Sequence, residues 1–90
     1  MRESVVEKYL HEQVTVRGGT TRKMTGRIND PDRLVIWPGK KATLHLAELK
    51  APGKKPRPGQ LREHARLRAL GCTVLVLDTK EAVDAYVRNR

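Results

Sequence analysis

Glycine and proline interrupt this chain so often that only short helices and strands can form between them. The breaks fall at Gly18-Gly19, Pro38-Gly39, residues 51–59 and Gly71. Glycine adopts conformations closed to other residues, and proline fixes φ and lacks an N–H group, so both end regular structure. We therefore expect short elements packed in layers within one domain over residues 1–90.

The hydropathy pattern between the breaks predicts three helices and four strands. Near-helical spacing of apolar residues predicts helices at residues 4–16 and 60–70, and a last helix from Asp78 or Thr79 to about Arg88. Polar β-branched or apolar runs predict strands at residues 20–27, 33–37, 43–50 and 73–77. The order αβββαβα predicts an α/β fold in which helices flank a mixed central sheet.

The apolar content suffices for one modest core. The chain has 9 Val, 10 Leu and 2 Ile but no Phe, and a domain of this size buries about 60–65% of its unfolded surface. Homodimerisation would bury more. Cys72 is the only cysteine, which fits a reducing compartment. Because it precedes the apolar run Val74–Leu77, we expect Cys72 to be a small core residue.

The charge balance limits the classes of partner. With 19 Lys and Arg against 10 Asp and Glu, the chain carries +9, which favours a polyanion, nucleic acid before an acidic membrane surface. One Trp and two Tyr argue against a single-strand binder that stacks bases on aromatic rings. The longest aliphatic run, Val74–Leu77, is far too short to span a membrane, and no export signal is visible. We expect a soluble, cytoplasmic protein.

One pair of predicted strands carries residues suited to chemistry. Glu48 and Lys50 alternate onto the same face of the second strand. A hairpin turning at Pro38-Gly39 lays the start of the first strand beside them, which brings Asp32 close. Two carboxylates suit Mg²⁺, and a neighbouring lysine can orient water or stabilise charge on a phosphate. On spacing alone, a surface ion pair between Asp32 and Lys50 is an equally good interpretation.

A family resemblance favours the site. Pro31-Asp32 and Glu48-Leu49-Lys50 resemble the PD-(D/E)xK nuclease motif. The segments at residues 4–10, 31–34, 48–54 and 58–64, which read SVVEKYL, PDRL, ELKAPGK and PGQLREH, resemble the virus-type replication-repair nuclease (VRR-NUC) family. The similarity runs from Arg2 to about Tyr86.

The resemblance implies a restriction-endonuclease-like αβββαβ core that uses Mg²⁺, replaceable by Mn²⁺. By motif match, Asp32 and Glu48 would be metal ligands and Lys50 the catalytic lysine. Stand-alone phage and bacterial members resemble Holliday-junction resolvases and act as homodimers on branched DNA. We therefore expect a DNA-repair endonuclease in the cytoplasm of a phage-infected or bacterial host.

Two further residues match the family but have simpler interpretations. Glu7 matches an acidic residue of the first helix that reaches the metal, and it also completes a capping box with Ser4. Gln60 matches a glutamine near the active site, and it is also a plausible solvated residue of a first helical turn.

A basic segment follows the proposed catalytic lysine. Residues 50–68 contain seven Lys or Arg and one Glu. We expect Lys54, Lys55, Arg57 and Arg62 to contact DNA phosphates. The alternative is that this segment is an ordinary solvated loop and helix face. The three histidines lack zinc-site spacing; His45 should lie opposite Glu48, and His64 on a helix surface.

Three alternative functions stay open. The chain could be a nuclease for flaps or nicked duplex, or a non-catalytic DNA-binding module on the same fold. A basic RNA-binding protein is the third, although no RNA-binding motif is recognisable.

Overall fold

A four-stranded mixed sheet forms the centre of the protein in a computed structural model that describes all residues from 1 to 90. The elements are α1 (Glu3–Val16), β1 (Thr20–Lys23), β2 (Arg33–Trp37), β3 (Thr43–Leu49), α2 (Pro58–Ala69), β4 (Thr73–Leu77) and α3 (Lys80–Arg88). The strand order is β1-β2-β3-β4, with β3 and β4 parallel and the other pairs antiparallel. The predicted fold class and element order are confirmed.

The hydrophobic core lies on one face of the sheet, beneath α1 and α3. Five of its ten members lie on the strands, where those on β2 and β3 alternate with residues that face the other way, and five lie on the helices. They are Val6, Leu10, Val14, Val35, Trp37, Ala47, Leu49, Leu77, Val83 and Val87. Helix α3 begins where Thr79 accepts a hydrogen bond from the Ala82 N–H at 3.0 Å, as predicted. Helix α2 lies on the opposite face, against β4.

The β2–β3 hairpin is confirmed, but its connection is a longer loop than the predicted tight turn. Pairing ends at Trp37 and Thr43, and residues 38–42 form the loop. Pro38 lacks an N–H group and cannot extend the ladder. The register matches Leu34 with Leu46 across the two strands, which fixes the positions of the residues that follow.

The capping box predicted at Ser4 is wrong. Helix α1 begins at Glu3 after Arg2, and no side chain caps it, so Ser4 already lies inside the first turn. Strand β1 ends at Lys23, short of the predicted limit at residue 27.

The start of α2 and the exposure of Cys72 also differ from the prediction. Helix α2 starts at Pro58, where the fixed φ of proline suits a first helical position. Cys72 is exposed and does not belong to the core, because it lies in the turn after Gly71, before the chain enters the sheet.

None of the three helices combines the length and apolar character needed to cross a membrane.

Gly19 provides a test of how tightly α1 joins the sheet. A Cβ atom at this position would lie 2.7 Å from the Ile36 carbonyl oxygen and 2.8 Å from Val14 Cγ1. Backbone must therefore move to admit it, and we expect Gly19→Ala to lower the unfolding free energy by about 1–3 kcal/mol in urea denaturation. The exposed Thr15→Ala should change it by less than about 0.5 kcal/mol. Equal stabilities of the two variants would contradict this packing.

Candidate active site

The centre of the site is a buried carboxylate near the end of β3. Glu48 is 1% exposed, although its neighbours Ala47 and Leu49 point the other way into the core. Alternation along the strand therefore directs the Glu48 side chain toward α2. Burying a carboxylate is costly unless neighbouring groups donate to it or carry opposite charge.

Asp32 lies directly beside this end of β3, as predicted. Its backbone N–H donates to the Ala47 carbonyl at 3.0 Å, and its Oδ2 accepts from the Leu49 N–H at 2.8 Å. These bonds continue the β2–β3 ladder one residue beyond the Arg33–Ala47 pair. The hairpin register thus places the Asp32 carboxylate against the strand that carries Glu48.

The Asp32 carboxyl group is close enough to Glu48 to act on the pKa of Glu48. The pKa of Glu48 is raised from 4.5 to about 7, first by burial and then by the negative charge of Asp32. A hydrogen bond between the two side chains raises the pKa further, and the ammonium of Lys50 opposes these effects. Two facing carboxyl groups in a partly dry site share a proton more readily than they both ionise.

Lys50 supplies the positive charge of the cluster. Its Nζ lies 3.7 Å from Glu48 Oε2, and the side chain is only 14% exposed. Its backbone N–H donates to the Leu77 carbonyl at 3.0 Å, which anchors the residue to β4. The alternative of a surface ion pair between Asp32 and Lys50 is wrong, because the lysine pairs with the buried Glu48 instead.

Gln60 connects α2 to the cluster. Its Nε2 donates to Glu48 Oε2 at 3.0 Å, and its Oε1 accepts from the Arg57 N–H at 2.8 Å. The residue is 5% exposed, so the interpretation as a solvated first-turn residue is wrong. The amide caps the helix with its oxygen and holds Glu48 with its nitrogen.

Glu7 is not brought into this cluster. Its Oε2 accepts from Arg33 Nε at 2.7 Å and lies 3.7 Å from Lys23 Nζ. No three His, Cys, Asp or Glu side chains lie close enough to hold a metal ion by themselves. The ligand role of Glu7 stays a prediction.

Glu3 lies one turn earlier on α1, and the charges of the cluster act on its pKa. Partial burial and then the charge of Asp32 raise the pKa of Glu3, and Lys50 lowers it. Sequence reasoning missed Glu3, although its spacing of four residues from Glu7 places both on one helix face.

His64 is the second residue that sequence reasoning missed. It is fully buried rather than on the helix surface, and its Nε2 lies 3.4 Å from Glu48 Oε1. The available signal was its spacing of four residues from Gln60, which puts both side chains on the same face of α2. His45 does lie on the strand face opposite Glu48, where its Nδ1 is 2.6 Å from the Tyr86 hydroxyl.

The predicted DNA-contact residues are all exposed. Lys54, Lys55 and Arg57 belong to the loop that leaves Lys50 and enters α2, and Arg62 lies on the first turns of that helix. The residues at the two ends of this segment, Lys50 and Gln60, both contact Glu48.

Known proteins share both this sequence and this fold. A phage protein, "Putative nuclease p44" of Acyrthosiphon pisum secondary endosymbiont phage 1, is 49% identical over 83 residues, covering 90% of this chain and 87% of the relative. A solved structure described as a VRR_NUC domain matches with a TM-score of 0.86 at 38% identity, covering 96% of this chain and 94% of that one. This chain belongs to the VRR-NUC family of nucleases. No family model matches the sequence.

In this VRR-NUC protein, the carboxylates of Asp32 and Glu48 are oxygen ligands of the kind that Mg²⁺ binds. Mg²⁺ takes oxygen ligands, commonly one or two carboxylates completed by water and substrate phosphate. Asp32 and Glu48 provide two carboxylates, and burial first and then repulsion by the Asp32 charge raise the pKa of Glu48. A divalent cation would remove that repulsion, so these residues fit the ion.

The raised pKa of Glu48 predicts how the folding stability of this VRR-NUC protein depends on pH when no metal is bound. Between pH 4.5 and about 7 the folded protein binds more protons at Glu48 than the unfolded chain does. The stability contributed by protonated Glu48 is therefore present at low pH and lost as the pH rises through about 7.

Replacement of Glu48 by glutamine should remove this loss. We expect Glu48→Gln to gain stability relative to the native protein as the pH rises across this window, by up to about 3 kcal/mol in EDTA. Urea denaturation at a series of pH values measures the difference. A difference that does not change with pH would contradict the proposed burial of this carboxyl group.

Proposed function

We propose that this VRR-NUC protein is a Mg²⁺-dependent endonuclease that hydrolyses phosphodiester bonds of branched DNA as a homodimer. The observation that carries the proposal is the cluster of Asp32, Glu48 and Lys50, with two carboxyl groups facing each other beside an amine. The intact cluster argues against a non-catalytic DNA-binding module.

Each residue of the cluster has a distinct role in hydrolysis. Asp32 and Glu48 would hold the ion, with Gln60 orienting the Glu48 carboxylate. When bound, Mg²⁺ polarises the scissile phosphate and makes water a better nucleophile. The Lys50 ammonium, held by its anchored backbone, stabilises negative charge as it grows on the phosphate oxygens.

The basic loop supports DNA as the polyanion. Lys54, Lys55 and Arg57 are exposed beside the cluster, where they can neutralise backbone phosphates without reading sequence. The net charge of +9 adds a long-range attraction for any nucleic acid. Contacts of this kind suit an enzyme that recognises the shape of a DNA branch.

An apolar patch on the sheet, half-buried except at the exposed Leu44, supports a dimer. Leu34 and Ile36 of β2 pair with Leu46 and Leu44 of β3, on the face opposite the core. Helix α2 packs against β4, and Leu44 remains 56% exposed. A second copy seated on this face by two-fold symmetry would bury the patch and place two active sites on one junction.

The first test compares substrates and variants. The native protein should cleave a synthetic four-way junction with Mg²⁺, and EDTA should abolish cleavage. Asp32→Asn and Lys50→Ala should each lower the cleavage rate by at least about 100-fold, because each removes charge from the reacting centre. Both should retain junction binding in a mobility-shift assay.

The control is Lys40→Ala, an exposed lysine in the loop at the far end of the hairpin. It removes one positive charge and should leave cleavage unchanged. Undiminished cleavage by Asp32→Asn or Lys50→Ala would overturn the site assignment. If the protein cleaves linear duplex equally well, or prefers flaps, nicked duplex or RNA, the proposal of a branched-DNA substrate is wrong. The assignment of the nuclease site is not affected by that result.

The second test addresses the dimer. Sedimentation should give twice the 10.2 kDa mass of one chain, and Leu44→Lys should give the monomer, because a charge cannot be buried unpaired in an apolar interface. Val16→Lys is the matched control, since Val16 is 74% exposed at the end of α1, on the other side of the sheet. A native monomer, or a dimer that survives Leu44→Lys, would exclude this interface.

A further inference from the structure

His64 is a buried histidine whose two ring nitrogens have different surroundings. Its Nε2 lies 3.4 Å from Glu48 Oε1, and its Nδ1 is the only buried side-chain nitrogen or oxygen without a hydrogen-bond partner. The other Glu48 oxygen, Oε2, accepts from Gln60 at 3.0 Å. Helix α2 therefore contacts both oxygens of one carboxylate, through two residues spaced four apart.

The unpaired Nδ1 indicates where the imidazole proton lies. A proton on Nδ1 would be a buried donor with no acceptor, and Nε2 would then direct a lone pair at a carboxylate oxygen. A proton on Nε2 gives Glu48 a donor and leaves Nδ1 as an unpaired acceptor. An orphaned buried N–H is the rarer and less favourable case, so the second arrangement is preferred.

We propose that His64 is a positioning residue of the nuclease site, whose Nε2–H holds Glu48 Oε1 while the Gln60 amide holds Oε2. The two donors fix the rotation of the Glu48 carboxylate and direct it toward Asp32. Hydrogen-bonded partners of metal ligands commonly set ligand orientation and basicity in this way. The inference rests on the proposed function, because it assigns Glu48 to the cation.

A purely structural role makes a different prediction. If His64 only fills space between α2 and the sheet, any side chain of similar length and volume should serve. If it acts as a donor, only a replacement with an N–H group in the same place should serve. Glutamine and methionine separate these cases, because the Gln Nε2 lies as many bonds from Cβ as the His Nε2, and methionine places a methyl group there.

The experiment compares His64→Gln with His64→Met in Mn²⁺ binding, measured without DNA from the free-ion electron paramagnetic resonance signal. We expect His64→Met to weaken Mn²⁺ binding by about tenfold, and His64→Gln to stay within about threefold of the native protein. In cleavage assays, the Met variant should lower kcat and leave KM for the junction unchanged. Equal Mn²⁺ affinities of the two variants would overturn the positioning role.

A second measurement needs no variant and no metal. Long-range ¹H–¹⁵N NMR of the native protein identifies which ring nitrogen of His64 carries the proton. A protonated Nε2 with a bare Nδ1 is the expected pattern, and a proton on Nδ1 would overturn the proposal even if His64→Met failed to fold. If the native protein cuts no nucleic acid, the proposed function fails, and the NMR pattern and the Mn²⁺ comparison still decide the role of His64.

Discussion

The carboxylate of Glu48 is buried between the sheet and α2, and the arrangement of its neighbours follows from the need to stabilise it there. Gln60 and His64 lie within hydrogen-bonding distance of its two oxygens, and Lys50 provides the nearest opposite charge. Burial first, and then the negative charge that Asp32 adds to the same space, raise the pKa of Glu48 to about 7. A structure selected only for stability would place an apolar residue here. We therefore propose that this carboxyl pair serves chemistry and not stability.

The topology brings this cluster together with few connections. The antiparallel hairpin of β2 and β3 sets Asp32 beside Glu48, and the crossover through α2 to the parallel strand β4 returns Gln60 and His64 over the same carboxylate. All of these residues fall within residues 32–64. The crossover loop also carries the exposed basic side chains, so the proposed DNA contact and the proposed chemistry share one connection. Helices α1 and α3 contribute mainly the core beneath the sheet.

The hairpin and its chemistry could be predicted from sequence because both depend on local rules. Alternation along a strand places Glu48 and Lys50 on one face, and a hairpin of known register places Asp32 opposite them. Strands β2 and β4 were predicted with their observed limits, since Gly or Pro lies close to the ends of each. The family resemblance added the role of Gln60, whose contact with Glu48 spans twelve residues and has no local signature.

The errors arose where tertiary contacts decide the outcome. Periodicity alone could not show that α2 turns His64 inward, because the helix has few apolar residues and its buried positions are polar. The ligand role of Glu7 is not one of these errors and stays a prediction; Arg33 and Lys23 contact its carboxylate from distant segments. Cys72 lies one residue before β4, where apolar neighbours in sequence do not imply burial.

We propose that Asp32 and Glu48 together hold a divalent cation. Anomalous diffraction from a crystal grown with Mn²⁺ is the sharpest test, because the signal locates the ion independently of the protein atoms. We expect an anomalous peak between these two carboxylates, within coordination distance of both. Carboxylates that point apart with no peak between them, or a peak only elsewhere, would contradict it.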